Sequence, residues 1–574
     1  MAQLRFKGFQ SGTPVSMMAS DGVGSLGLTV PAFQAPQMAS ALPRISSTQV
    51  EGDTLTLETS GLTGISAYAW RRVGGSTLGT GASFDSAGQG GQWIECAVTS
   101  DQGVLTTPAV HIYMGMPMAS HNSDDAAILA LCPHHEATHI AVANGDWSDP
   151  AIWFDERVPS HGARVLVPQD RQLRYDANTL ARLDWVRVDG RLDWSRTSDT
   201  TMLVETLIGT RGSVMTWGLD AANPVAEGVT SEVIWSGRHY RDASFLPTDI
   251  NLQHDPLLWG RGLISQGEVT IYGAPRAHGC MATVPVPAGA TSLTLEKPPT
   301  GWKVGDTIVI SGLELGLQAS GLPWRDEDEE RVISAITGHT VSWDVPLVYD
   351  HNDKMGLRED IRPAVQLKRG RNVIFRSEIT KTPWRRGHFA MLHGLSRSNI
   401  RYAEFFEMGR TAKSIPAGIR NENGEFETHD ANGTASQIVI EPFTARSNLQ
   451  GRYPAHWHHV GHSHEANGRP MPIFWDCYIE GSPGWGAVHH ACEMHMFNNS
   501  VRRVWSGGIV AESGNETGVW NTNIVSHMPA MAMNSSGTMV GSPKGSSENG
   551  DRLGDPFRHG QALALRSRAV VLSD

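Results

Sequence analysis

The sequence predicts an all-β chain: a right-handed parallel β-helix preceded by a small β-sandwich. Three observations predict it. Short strand-like runs separated by turn glycines fill residues 141–284 and return over residues 351–574. Asparagines stand at the ends of those runs at coil-like spacing: Asn372, Asn399, Asn498, Asn499, Asn521 and Asn523. Residues 44–116 instead alternate apolar and polar positions between turns, as strands with one buried face do.

Taken in order, residues 1–43 carry Gly, Pro, Met and Ala without periodicity and read as an extended lead-in. Residues 44–116 contain TLTLETS, AYAWRRV, GQWIECAVTS and AVHIYM. Trp70 and Cys96 sit where a sandwich core places them, and the segment resembles the immunoglobulin-like modules of bacterial surface and phage proteins. The partner cysteine is missing, so no disulfide is expected. Residues 117–140 read as a linker with a short helix; its His134, His135 and His139 are weak metal candidates. Residues 141–284 hold ARVLVP, LDWVRVDGRLDW, TMLVETLIG, GSVMTWG and GLISQGEVTIYGAP, the pattern of stacked coils. Residues 285–350 form a β-insert, with SLTLEKPPTGWKVGDTIVIS and ERVISAITGHTVSWDVPL. The acidic run 326–330 inside it suits a solvated loop or a calcium ligand set. Residues 351–574 return to short parallel strands. The repeat still runs at GQALALRSRAVVLSD without a polar terminal coil, so the chain is expected to be a truncated version of a longer one.

Composition narrows the function classes. Formal net charge is -12, which argues against nucleic-acid or anionic-membrane partners. No run approaches the roughly 18 apolar residues of a membrane span. The N-terminus shows no apolar run of signal-peptide length after Arg5 and Lys7. Five separated cysteines with no Cys-x-x-Cys pair argue against a disulfide framework or a cysteine zinc site. The overall character is that of an extracellular or cell-surface β-protein, and no oligomeric state follows from it.

The 24 histidines are gathered rather than scattered: 12 fall between His388 and His527, and seven of these lie in 456–464 and 489–490. In RYPAHWHHVGHSH, alternation along a strand puts His456 and His458 on one face. A His-x-His pair on one face is a way to hold a metal ion or to pair an acid with a base. GSPGWGAVHHACEMH follows one or two coils later, so His489 or His490 is expected above that pair. GIVAESGNETG adds Glu512 and Glu516. The candidate catalytic set is His456, His458, His489, Glu512 and Glu516. The candidate metal set is His456, His458 and His489, for zinc or calcium. Arg410, Arg452, Trp457 and His388 are the candidate substrate-binding residues, because Arg suits bidentate carboxylate binding. The 18 tryptophans, by contrast, spread from Trp70 to Trp520 and read mostly as core.

A resemblance joins these motifs. NGDWSDPAIWFDERVPSHGARVLVP, VRVDGRLDW and GLISQGEVTIYGAP resemble the G8 domain. RGHFAMLHG, RYAEFFEMGRTAK, GRYPAHWHHVG, GSPGWGAVHH and GIVAESGNETG follow in order and resemble bacterial G8-domain β-helix proteins. More remotely they are similar to the cell-migration-inducing and transmembrane hyaluronidase family, with Trp457 where Phe is usual and His490 where Gly is usual. The resemblance implies an extracellular glycoside hydrolase acting on an acidic, hyaluronan-like glycan. A uronate lyase, with a histidine base and Arg452 neutralising the carboxylate, is the first alternative. A non-catalytic glycan-binding adhesin or phage tail-fibre protein is the second.

Overall fold

The computed structural model describes residues 54–112, 127–237, 257–312, 327–352, 361–413, 449–462 and 470–528, barring a few single positions, with short strands elsewhere. The chain divides into two compact units: residues 1–122 with the short segments 133–137 and 153–157, and the remainder. Most of the lead-in lies outside the described residues.

In the first unit, strands Ala67–Arg72, Thr77–Gly79, Trp93–Ser100, Gly103–Thr106 and Val110–His111 form one antiparallel sheet. Strands Arg44–Ile45, Thr54–Glu58 and Ser83–Asp85 form another. Apolar residues of both, including Ile45, Leu55, Trp70, Ile94, Cys96 and Val98, share one core. Trp70 lies opposite Cys96 in register. Its buried indole N–H donates to the Gly81 carbonyl at 2.8 Å, which removes the cost of burying that donor. Cys96 is a free thiol.

The second unit is a parallel β-helix with three faces. Face A comprises Gly262–Ser265, His388–Leu392, Ala455–Gly461, Ala487–Cys492, Gly507–Ala511 and Gln561–Leu565, all paired in parallel. Face B runs from Ser231–Trp235 through Val373–Ser377, Ala403–Phe406, Tyr478–Glu480 and Ser500–Arg502 to Ile524–Ser526. Face C stacks ten strands from Gly145–Asp146 to Ala569–Ser573. In the first coils, faces A and B are one bent strand. Thr200–Gly209 pairs with the first face-B strand through its first half and with the first face-A strand through its second. Residues 141–284 and 351–574 therefore belong to one continuous stack.

Apolar side chains alternate inward and stack in register along the axis. Tyr175, Trp194 and Trp217 form an aromatic column, the last two rings parallel at 3.7 Å, and Phe375, Phe405 and Phe474 continue it. Between faces C and B the chain turns at Tyr402, Asp476, Asn498 and Thr522, all with φ near +50° to +56°. A short left-handed step is what lets a strand corner in so few residues. The asparagine ladder follows immediately. Asn499 Oδ1 accepts the Cys477 N–H, and its amide donates to the Phe474 carbonyl and to Asn523 Oδ1. Asn499→Ala is expected to destabilise the chain by about 1–3 kcal/mol, because buried backbone groups lose their partners. Urea unfolding measures it, and a change below about 0.5 kcal/mol would deny the ladder a structural role.

The insert is larger than its sequence suggests. Its outer strands Gly279–Met281 and Ala364–Lys368 pair with each other, and Thr307–Ile310 and Glu329–Val332 complete the sheet. A second sheet and a core with Ile308, Val341 and Trp343 make it self-contained. The described part of the acidic run is spent on ion pairs rather than left solvated or free for calcium. Glu329 pairs with Arg331 and His351, Glu330 with Lys368 and Arg502, and Asp328 with Arg502; Asp326 lies outside the described residues. The 117–140 linker contains a short helical stretch ending at Leu131.

The longest connections between stacked strands fall mainly where face B passes to face A, between Trp235 and Gly262, Ser377 and His388, Phe406 and Ala455, and Ser526 and Gln561. The described ends of these segments border the histidine-bearing strands.

Candidate functional site

The site is built on two neighbouring face-A strands, Ala455–Gly461 and Ala487–Cys492. Their register aligns Trp457 with His489 and His458 with His490. Side chains alternate, so Trp457 and His489 point into the coil and His456, His458 and His490 point out. His489 is thus not a member of the cluster. It is fully buried, its Nε2–H donates to the Cys492 carbonyl at 2.7 Å, and burial pushes its pKa down to about 4. His490 takes the place predicted for it. Trp457 is core as well: its indole N–H donates to Ser398 Oγ at 2.7 Å and its ring packs edge-on to Phe474.

His456, His458 and His490 each offer a ring nitrogen, and these atoms lie within 4.8 Å of one another. His458 Nδ1 and His490 Nδ1 are 3.0 Å apart. Glu512, at the end of the next face-A strand, places Oε2 3.3 Å from His490 Nδ1 and 4.0 Å from His456 Nε2. His456 Nδ1–H donates to the Gly451 carbonyl at 2.8 Å. That bond fixes the tautomer and leaves the lone pair on Nε2. Gly451 has φ +85°, a conformation open to glycine at no steric cost. The buried His456 Nε2 and Glu512 Oε2 have no hydrogen-bond partner. Burial, then neighbouring positive charge, holds the pKa values of His456 and His458 well below the usual imidazole range, so both are neutral. A pairing irregularity falls between His458 and Gly461, where His459 has φ +52°. Bulges of this kind re-aim side chains beside functional sites. A second group, Asp124, His393 and His458, meets the same distance criterion and shares His458; among the described residues neither group contains His134, His135 or His139.

Three imidazole nitrogens and one carboxylate suit a zinc-like ion better than calcium, which favours an all-oxygen shell. The 3.0 Å and 3.3 Å donor separations approach the edge of a tetrahedron with about 2.0–2.1 Å bonds.

The other predicted residues have different roles. Glu516 accepts the N–H groups of Ala491, Ser513 and Gly514, so its carboxylate caps a turn. Arg410 donates to the carbonyls of Trp384, Leu258 and Gly260, and Arg452 to those of Leu257, Leu258 and Gln450. Arg452 also lies 3.4 Å over the Trp259 ring. Both guanidinium groups hold the 257–260 loop rather than a substrate carboxylate. That loop sets Trp259 against His458 and His388. His388 is fully buried beneath it, neutral through desolvation, with both ring nitrogens unbonded, so it cannot touch substrate directly. Sequence reasoning missed Trp259 and His393. His393 lay in the quoted RGHFAMLHG run, but Trp259 had no signal of its own.

Arg452→Met is expected to displace Trp259 more than it lowers stability, because it loosens the loop and leaves the coils intact; tryptophan fluorescence beside a melting curve checks it. Acid should destabilise chelator-treated protein. Burial lowers the folded pKa of His388, His456 and His458 below the unfolded value of about 6.5. Their stabilising contribution is complete above that pH and is lost as pH falls, so the melting temperature should drop between about pH 7 and 5.

Fold and site together define a parallel β-helix with a histidine cluster on one outer face. No protein-family model matches the chain, and no curated protein matches it. The resemblance to G8 and hyaluronidase-type proteins therefore stays with the quoted motifs. Among solved structures the chain is similar to the Gp54 tailspike of Acinetobacter baumannii bacteriophage AP22 in complex with A. baumannii capsular saccharide. That match has 11% identity, covers 62% of this chain and 54% of that one, and has a TM-score of 0.15. The tailspike protein gp49 from Pseudomonas phage LKA1 gives 10% identity, 63% and 54% coverage and a TM-score of 0.15. The Pseudomonas phage phi297 tailspike gp61 gives 11%, 58%, 54% and 0.16. The chain spans about half the length of each, and similarities this weak carry no argument about chemistry.

Proposed function

We propose that this chain is an extracellular or cell-surface protein that cleaves an acidic polysaccharide at a divalent metal ion. His456, His458 and His490 would hold the ion, with Glu512 beside them. The observation carrying this reading is the convergence of three imidazole nitrogens within 4.8 Å, beside a buried His456 Nε2 and Glu512 Oε2 that lack hydrogen-bond partners among the described residues. Leaving such atoms unpaired is costly unless something binds them. The motif resemblance supplies the substrate class.

A bound divalent ion supplies Lewis acidity and water activation. The chain does the rest. Gly451 locks the His456 tautomer, the arginine-held 257–260 loop walls the cluster, and Glu512 is placed to take or give a proton. Glu516 is spent on a turn, and Asp124, grouped with His458, is the other carboxylate at the cluster; the three converging imidazoles favour metal-assisted hydrolysis over a two-carboxylate route. A lyase is the second reading, supported by the neutral imidazoles that would serve as base.

A panel of acidic and neutral glycans, assayed for chain shortening, tests the proposal. Cleavage should vanish with a zinc chelator and return on adding zinc, and the purified protein should contain the metal. Undiminished cleavage in chelator would remove the metal from the mechanism. Ultraviolet-absorbing unsaturated products would replace hydrolysis with elimination. Binding without shortening of any polymer would leave an adhesin.

A further inference from the structure

The insert and the coils against it form a half-open cavity of about 330 Å³ that shares no lining residue with the histidine cluster. Its size is at the lower end of small-molecule pockets, which run to about 300–1,000 Å³. His278, Lys297, Trp302, Tyr402, Asp476 and Asn498 line it.

His278 is held in one orientation. Asp476 Oδ1 accepts both its backbone N–H at 3.1 Å and its Nδ1–H at 3.2 Å. That fixes the proton on Nδ1 and leaves the lone pair on Nε2, a buried atom with no hydrogen-bond partner. Asp476 itself sits at a corner with φ +51°, and Arg371 ties its carbonyl in place. Burial lowers the pKa of His278, so the ring is neutral despite its carboxylate neighbour. Exposed Lys297 and half-buried Tyr402 line the same space. Among the described residues, neither the Lys297 ammonium, the Tyr402 hydroxyl nor the Asn498 amide has a side-chain hydrogen bond or ion pair. Trp302 adds an aromatic wall, its indole N–H tied to the Ala277 carbonyl.

The cavity thus offers one uncommitted cation, one hydroxyl, one amide and an apolar side, over a wall stiffened by the His278–Asp476 pair. That combination matches a single sugar ring bearing one carboxylate. We propose that this cavity binds a uronate residue: Lys297 takes the carboxylate, and Tyr402 and Asn498 take ring hydroxyls. It would act as a glycan-holding site separate from the cluster on face A.

Titration calorimetry of the full chain with glucuronate, galacturonate, glucose and inorganic phosphate tests this. A uronate should bind at least roughly tenfold tighter than glucose, and Lys297→Met should weaken it by roughly tenfold or more, since a charge-assisted contact is lost. Tyr402→Phe should weaken it less. Neither variant should lower the melting temperature, because neither side chain holds the fold together. His458→Ala should leave the Lys297-dependent uronate affinity unchanged, which separates this proposal from that for the metal site. Uronate binding no tighter than glucose, binding indifferent to Lys297→Met, or phosphate binding without uronate binding would each overturn it.

Discussion

His458→Ala is expected to abolish polysaccharide cleavage while leaving the melting temperature unchanged. His458 is the residue common to both groups of metal-capable side chains, so its loss dismantles either. Its side chain points away from the coil interior, and the strand pairing that carries it uses backbone groups only. Glu512→Gln should cost about 10²–10⁴-fold in rate by removing the proton-handling group, again without unfolding. His489→Ala is the control that inverts the result. One residue from His490, it faces the core and bonds the Cys492 carbonyl, so it should lower stability by about 1–3 kcal/mol. Activity should survive at temperatures where the variant stays folded. Full activity in His458→Ala would refute the assigned site.

The second large effect concerns the fold. Trp217→Ala is expected to destabilise the chain by about 3–5 kcal/mol, the range for emptying a buried aromatic site. Trp217 is wholly buried, stacks on Trp194 at 3.7 Å and meets Phe375 edge-on at 5.2 Å. Its indole N–H has no partner, so Trp217→Phe keeps most of the contact and sheds an unpaired donor; it should cost far less. Each coil rests mainly on its neighbours, so the damage should appear first as protease sensitivity near residues 194–271. A loss under about 1 kcal/mol for the alanine variant would mean that the coil collapses around the gap.

Much of this was legible in the chain because strand alternation and coil spacing are local properties. The His456–His458 pair follows from alternation alone. The choice between His489 and His490 does not, because a one-residue slip in parallel register moves a side chain from one face to the other. Only the pairing of Trp457 with His489 decides it. Arg410 and Arg452 have the right chemistry for a carboxylate, but whether a guanidinium is available depends on a loop about 150 to 195 residues away. Glu516 failed for a similar reason, since a turn of its own strand consumed it. The insert was cut short because its first and last strands pair with each other across some 85 residues, and no local pattern announces that.

The corner where face B passes to face A has a consequence for how such a protein changes. Each coil closes through its own backbone ladder, so a segment leaving at that corner can lengthen or shorten without shifting the rows beside it. The arginine-anchored 257–260 loop, the 383–387 turn and the 449–454 approach to the histidines all enter there. The face-A strands form a fixed floor, and the segments at this corner form interchangeable walls. Under the proposed function, recognition of a different polymer then arises by exchanging walls, while the histidines beneath keep their spacing.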